Sequence, residues 1–303
     1  MKAIVLHEYG GPDKLKYEDA PDPEPGEGQV LVRVAAASIN PIDWKMRSGI
    51  AKERFPVEFP GILGRDVSGT VRSVGVKVEG FAPGDKVMAL AWKTYAELCV
   101  VNAAELAHIP DGLDLIEAAA LPLVVTTGEQ LISLATKIEK GQTVLITGAL
   151  GGVGRSAVFT AKQAGAIVIA GVRKSQKEEA AELGVDEVIA IDDDSDIARL
   201  GFLDAVADAV NGETAQKLMG KVKQGGVFGS VLGTPANAKM HPTVRVQPIT
   251  AKPDAAKLRW LAEQVTAGKL RIPIDRMVPL EDTAKAQAAA EKGGIHAKIL
   301  LLA

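Results

Sequence analysis

The stretch Thr143-Val-Leu-Ile-Thr-Gly-Ala-Leu-Gly-Gly-Val-Gly154 decides the fold. It opens as a short apolar run, 143–147, and passes without a spacer into glycines at positions 148, 151, 152 and 154. An apolar run of that length bounded by glycine reads as a fully buried strand. The chain from Gly154 to Ala164 carries helical periodicity, and a second apolar strand, Ile167–Val172, comes next. Strand, glycine turn, helix and strand form one βαβ unit, the context in which glycines at three-residue steps acquire physical meaning. Such a turn lets the backbone approach a pyrophosphate, leaves free N–H groups at the helix start and lets the helix lie tight on the sheet. Gly148, Ala149, Gly151, Gly152 and Val153 are therefore the expected dinucleotide-binding residues.

The end of the second strand chooses between cofactors. An NAD site usually places Asp or Glu there to accept from the adenosine 2'-hydroxyl. Here Gly171-Val-Arg-Lys-Ser-Gln-Lys177 has no acid and three cations. Arginine binds a 2'-phosphate bidentately and lysine binds it as a point charge. Cations in the first turn of a helix oppose its dipole unless an anion sits there. Arg173, Lys174, Ser175 and Lys177 thus point to NADP(H) over NAD(H).

Working outward, 127–136, 175–183 and 215–222 read as helices, and 187–191, 205–209 and 226–232 as strands. Alternation of this kind predicts an α/β unit, a doubly wound parallel sheet with helices on both faces. Upstream the pattern differs: short strands at 3–6, 29–36, 67–74, 86–89 and 96–100 lie between turn clusters, which predicts a β-rich, partly barrel-like domain. Helices at 254–267 and 283–291 and a strand at 297–301 close the chain, and that strand has no place in a completed six-stranded nucleotide sheet. The expected division is a β-rich domain over 1–120, a nucleotide-binding domain over 121–250, and a segment 251–303 returning to the first domain.

At 303 residues the chain exceeds one ordinary core, in keeping with two domains. A formal net charge of -3 leaves no electrostatic footprint for nucleic acid or an anionic membrane. Cys99 is the single cysteine, so no intramolecular disulfide forms. The apolar run before His7 is too short for a signal peptide, and no apolar stretch is expected to span a membrane. A cytoplasmic protein acting on a small molecule is the expectation, with neither nucleic acid nor membrane as a partner.

The segment Ala37-Ser-Ile-Asn-Pro-Ile-Asp-Trp-Lys-Met-Arg-Ser-Gly49 resembles the active-site segment of quinone oxidoreductases. Further similar segments follow in order: Phe59-Pro-Gly-Ile-Leu-Gly-Arg-Asp-Val-Ser-Gly69, Pro83-Gly-Asp-Lys-Val87, Thr94-Tyr-Ala-Glu97, Ala119-Ala-Leu-Pro122, the glycine turn, and His296-Ala-Lys298. Together they resemble the zinc-free quinone oxidoreductase and alkenal/enone reductase family of the medium-chain dehydrogenase/reductase superfamily. The resemblance implies a GroES-like catalytic domain built from both termini, a central Rossmann domain, and NADPH-dependent reduction of quinones or α,β-unsaturated carbonyls. Zinc enzymes of the superfamily carry Cys where Asn40 stands and Gly-His-Glu where Gly64-Arg65-Asp66 stands, so no metal is expected.

The resemblance also assigns residues. Asn40 faces the nicotinamide and orients it or donates to substrate oxygen, or else it is only a turn former before Pro41. Asp43 caps the helix-like segment that follows or orients the loop. Trp44 lines the substrate pocket or belongs to the core, and Lys45 donates to substrate oxygen or is a surface lysine. Arg65 reaches cofactor or substrate, or pairs with Asp66 or another acid. Thr127 stands near the nicotinamide or caps its helix, and Gly233 and Lys298 border the cofactor. Ile191 stands where several bacterial relatives have Tyr, which puts more weight on Arg173 and Lys177. Relatives are often homodimers joined at Rossmann edge strands, and the candidate edge here is the strand ending near Gly233. Two other readings stay open: an enoyl-thioester reductase, weakened because no Tyr lies in the 40–49 segment, and a non-catalytic NADPH-binding regulatory protein.

Overall fold

The structure is a computed structural model that describes residues 1–295 and 297–303. His296, singled out above in His296-Ala-Lys298, lies outside the described residues. The chain runs β1 Lys2–Leu6, β2 Leu15–Asp19, β3 Gln29–Ser38, α1 Pro41–Arg47, β4 Gly61–Ile62, β5 Asp66–Val74, β6 Lys86–Leu90, β7 Leu98–Asn102 and β8 Leu106–His108. It continues through α2 Pro122–Gln130, β9 Thr143–Thr147, α3 Gly152–Gln163, β10 Ile167–Val172, α4 Lys177–Ala181, β11 Glu187–Ala190, α5 Asp194–Arg199, β12 Leu203–Asp208, α6 Gly212–Met219, β13 Val222–Ser230 and β14 Arg245–Pro248. It closes with α7 Ala255–Thr266, β15 Ile274–Pro279, α8 Thr283–Glu291 and β16 Lys298–Leu302. Two compact units result: Met1–Leu123 with Pro253–Ala303, and Val124–Lys252.

The second unit is a six-stranded parallel sheet in the order β11-β10-β9-β12-β13-β14, the doubly wound arrangement of a Rossmann domain. Alternating side chains face opposite layers. Val144 and Ile146 of β9 join the core with Leu131 and Ala157, whereas Leu145 joins the core with Ile197 and Leu218. Both faces are therefore covered, and the switch point of the strand order lies between β9 and β12, at the glycine turn.

The first unit holds a seven-stranded sheet, β15-β16-β3-β5-β6-β8 with β7 also on β3, and a three-stranded sheet, β2-β1-β4. The long strand β3 carries two neighbours of the site at one point. Ser38 lies opposite Asp66 of β5 and opposite Leu300 of β16. Chain segments more than two hundred residues apart meet there by register.

Several expectations need correction. The strand ending near Gly233 is not an edge: β13 lies between β12 and β14, and the sheet's edges are β11 and β14. β14, Arg-Val-Gln-Pro, escapes sequence reading because it is polar and ends in Pro248, which an edge strand tolerates. Thr127 caps no helix, since α2 starts five residues earlier at Pro122. Residues Glu117–Thr136 do form a helical run of 20 residues, long and apolar enough to cross a membrane by length and composition. Its most apolar window is 83% buried inside the protein, which identifies it as a core helix.

Candidate active site

The glycine turn of the second unit is shaped by backbone contacts. Gly148 sits at φ +63, in the left-handed region that favours glycine, and its N–H donates to Gly171 O at 2.8 Å. A Cβ on Gly154 would lie 2.1 Å from Gly148 O and 2.7 Å from Ala149 Cα, so only glycine lets α3 start this close to β9. Gly151 is the extended residue before α3 and caps it without a side chain. The N–H groups of Gly152, Val153 and Gly154 open the helix, where no intrahelical carbonyl can reach them. This cradle fits a dinucleotide pyrophosphate.

Beside it, buried Asp208 at the end of β12 ties three strand ends together. It accepts from Thr147 Oγ at 2.9 Å, from Ser230 Oγ at 3.0 Å, and from the backbone N–H groups of Val210 and Asn211. Gly233, just past β13, holds φ +104 in open space.

The cations expected at the adenosine ribose are not equivalent. Lys174 Nζ pairs with Asp193 at 3.0 Å and Lys177 Nζ pairs with Asp196 at 3.0 Å, both acids following β11. Those partners hold the Asp193 and Asp196 carboxyls below the usual carboxylate range. For Asp193 the Ser195 hydroxyl acts first, and for Asp196 the Ala190 backbone N–H. Arg173 is exposed and forms no ion pair among the described residues. Its backbone N–H donates to Gln176 Oε1 at 3.2 Å. The weight placed on Lys177 therefore shifts to Arg173, with Ser175 exposed next to it. The cradle and Arg173 together fit a 2'-phosphorylated dinucleotide.

In the first unit, Asn40 stands at the head of α1, where Pro41 at the first helical position fixes the entry. Asp43, three residues on, accepts the Asn40 N–H through Oδ2 at 2.8 Å and the Tyr95 hydroxyl at 2.7 Å. Its Oδ1 is sealed and has no partner. Burial pushes the Asp43 carboxyl up to about 6, against the opposing pull of the Tyr95 and Asn40 hydrogen bonds. Burial, with the Asp43 charge beside it, also drives the Tyr95 phenol well above its ordinary value.

The Asn40 side chain is committed to the protein. Its Nδ2 donates to Asp66 Oδ2 at 2.7 Å and to Ser38 O at 3.3 Å, and its Oδ1 accepts from Lys298 Nζ at 2.7 Å. Lys298 also reaches Ile39 O and Asp66 Oδ2, both at 3.2 Å, so all three ammonium donors have acceptors. Asp66 in turn receives Ser38 Oγ, Asn40, Lys298 and the Leu123 N–H at 2.6 Å. One expectation changes with this: Asn40 has no free amide donor for substrate oxygen. Lys298 is the buried counter-ion of Asp66.

Trp44 packs half-buried against the core formed by Ile39, Met46 and Tyr95. Lys45 is half-buried, and its ammonium has no ion-pair partner among the described residues. Arg65 does not pair with Asp66. Its Nε donates to Ala91 O at 2.9 Å and its guanidinium lies 3.5 Å above the Trp92 ring. Ser38, Asp66 and Tyr95 were not assigned site roles from sequence. Tyr95 lies outside the 40–49 segment in sequence and against it in space.

These residues do not fit zinc. Asn40 Oδ1 and Asp66 Oδ2 already hold an ammonium, and a metal there would need Lys298 expelled and soft donors that Asn40 and Arg65 do not supply. Among the described residues no group of three or more His, Cys, Asp or Glu side chains could hold a metal.

Residues 26–111 match the model described as an alcohol dehydrogenase GroES-like domain, and residues 183–301 match that of a zinc-binding dehydrogenase. The mouse mitochondrial NAD(P)H oxidoreductase RTN4IP1 is 33% identical over 353 aligned residues, covering 99% of this chain and 89% of that protein. Among solved structures, the quinone oxidoreductase from Coxiella burnetii is 31% identical over 100% of this chain and 99% of its own, with a TM-score of 0.89. A mycobacterial protein solved in complex with NADPH is 26% identical over 100% of both chains, with a TM-score of 0.88.

Proposed function

Since the chain belongs to the quinone oxidoreductase group of the medium-chain dehydrogenase/reductase superfamily, we propose that it is an NADPH-dependent reductase of quinones or α,β-unsaturated carbonyls that works without zinc. The observation that carries this reading is the Asn40–Asp66–Lys298 cluster, in which an internal ammonium takes the oxygens of Asn40 and Asp66, where zinc enzymes of the superfamily carry Cys and Glu.

The NADP(H) would be held by the N–H groups of Gly152, Val153 and Gly154 and by Arg173. When bound it supplies the hydride. The protein's own residues then face an electrostatic task. An isolated ketone gathers a full alkoxide as hydride adds, whereas a quinone or enone spreads that charge over a conjugated system. The buried groups around Asn40 neutralise one another, and of the first-unit cations assigned to the site from sequence, Lys45 and Arg65 keep uncommitted N–H groups among the described residues. A few N–H donors suit the delocalised charge and not the localised one. Tyr95 holds its proton on Asp43 at the back of the cluster and is fully buried, so the reading takes the final proton from solvent.

Turnover of NADPH with 1,4-naphthoquinone, a simple enone and cyclohexanone tests the reading, with the enone product analysed after use of C4-deuterated NADPH. The expected result is reduction of the conjugated acceptors, deuterium on the enone β-carbon, solvent hydrogen on the α-carbon, and little ketone turnover. Faster turnover of the ketone, or no deuterium in the product, refutes it.

A further inference from the structure

Three cations are buried among the described residues, and they are not alike: Arg47, Arg65 and Lys298. Arg47 spends its three nitrogens on Gly10 O, Gln287 Oε1 and Glu291 at 2.7–3.1 Å. Lys298 spends its three protons on Ile39, Asn40 and Asp66. Arg65, 5% exposed, spends only Nε, on Ala91 O. Neither terminal nitrogen has a hydrogen-bond partner among the described residues, and neither is among the sealed, unpartnered polar atoms. The acids nearest in sequence and field, Asp66 and Asp43, are held by other donors.

A largely buried charge whose terminal nitrogens meet no protein acceptor is costly to keep unless solvent or a ligand meets them. The group is also held in one orientation. Its backbone O accepts from Ala91 N–H at 2.8 Å, Tyr95 N–H donates to Leu63 O at 3.0 Å, and the Cys99 thiol donates to the Trp92 carbonyl at 3.3 Å. With Trp92 against one face and Nε tied back, the two terminal nitrogens present a planar fork, the geometry that matches a carboxylate. Phe55 lies 6.0 Å from the Trp92 ring, so the fork has an aromatic setting.

We propose that Arg65 is the receptor for an anionic oxygen on the electron acceptor, and that the enzyme selects aromatic or conjugated acceptors bearing a carboxylate. This rests on the reductase reading above and narrows its substrate class. A phosphate of the cofactor offers similar chemistry, but the second unit has its own candidate phosphate-binding groups, the glycine cradle and Arg173, whereas Arg65 belongs to the first unit.

Calorimetry with 2-naphthoate and the isosteric neutral 2-naphthamide tests the assignment on the wild type, Arg65→Lys and Arg65→Gln, with NADPH titrated in parallel. Naphthoate should bind the wild type about tenfold or more tighter than naphthamide. That preference should shrink in Arg65→Lys and vanish in Arg65→Gln, while NADPH affinity stays the same. Equal binding of the two ligands by the wild type overturns the proposal without needing any variant to fold. So does a preference that survives Arg65→Gln. Loss of NADPH affinity in Arg65→Gln with naphthoate binding intact assigns the fork to the cofactor instead. The binding arms need no turnover, so a wild type that binds naphthoate selectively yet fails to reduce naphthoquinone defeats the reductase reading, and with it the role of the bound anion as electron acceptor, while the carboxylate site at Arg65 stands.

Discussion

Asp43→Asn should remove a pH-dependent cost of folding. The wild-type carboxyl is fully buried and stands at about 6, against an ordinary 3.8. Between about pH 4 and pH 6 the folded protein therefore keeps a proton that the unfolded chain releases. Stability falls as pH rises through that window, because the unfolded state binds fewer protons there. The shift of roughly two units corresponds to about 3 kcal/mol, present as a penalty above the window and absent below it. An asparagine carbonyl at the Oδ2 position can keep the bonds from Asn40 N–H and Tyr95 O–H, and its amide takes the place of the sealed, unpartnered Oδ1. Relative to wild type, the variant should thus gain about 3 kcal/mol between pH 4 and pH 7. Tryptophan fluorescence during urea unfolding reads the right unit, since Trp44, Trp92 and Trp260 all lie in 1–123 or 253–303. A variant-minus-wild-type difference that stays constant to within about 0.5 kcal/mol from pH 4 to pH 7 would refute the reasoning.

Arg173→Ala should raise the KM for NADPH about tenfold or more and leave that for NADH unchanged, while Lys177→Ala, whose cation already pairs with Asp196, should change both by less than about threefold. Steady-state kinetics with both cofactors decides it, and equal losses for NADPH and NADH would sink the 2'-phosphate assignment. Gly154→Ala should cost the second unit about 1–3 kcal/mol and weaken NADPH binding, because its Cβ meets Gly148 O at 2.1 Å. Thermal melts with NADPH calorimetry would expose an error if both were unaltered. Lys298→Met strands Asp66 as a buried unpaired charge and should destabilise the first unit by about 3–5 kcal/mol, with Asp66→Asn in the same chain recovering part of the loss. No recovery in the double variant would mean that packing and not charge sets the cost.

The nucleotide unit was legible because its information is local. β9, the glycine turn and β10 are consecutive, and each glycine's need shows in its neighbours: Gly154 against Gly148 and Ala149, and Gly148 against Gly171. The strands Thr143–Thr147 and Ile167–Val172 and the helix Thr283–Glu291 fall where periodicity placed them. What failed there was pairing across a loop. A run of Arg173, Lys174 and Lys177 reads as three free cations until Asp193 and Asp196, sixteen or more residues on, are seen to claim two of them. Edge strands β14 and β15 carry too little hydrophobic alternation to announce themselves.

The first unit's site was legible in position and illegible in role. Family resemblance marked Asn40, Arg65 and Lys298, but the acceptors that define what each can do lie 232–259 residues away for Lys298 and 26 away for Asn40 and Arg65. Those contacts depend on the register that sets Ser38 opposite both Asp66 and Leu300, and a one-residue slip would turn Asp66 to the other face. A residue's chemistry at such a site is what remains after its internal hydrogen bonds are counted. Asn40 has two donors and both are used, Lys298 has three and all are used, and the Tyr95 donor is used on Asp43. Asn40 and Lys298, both marked from sequence, therefore spend their side-chain donors inside the protein. Among the residues marked from sequence, the cations not spent in this way are Lys45, which has no ion-pair partner among the described residues, and Arg65, whose two terminal nitrogens have no hydrogen-bond partner there.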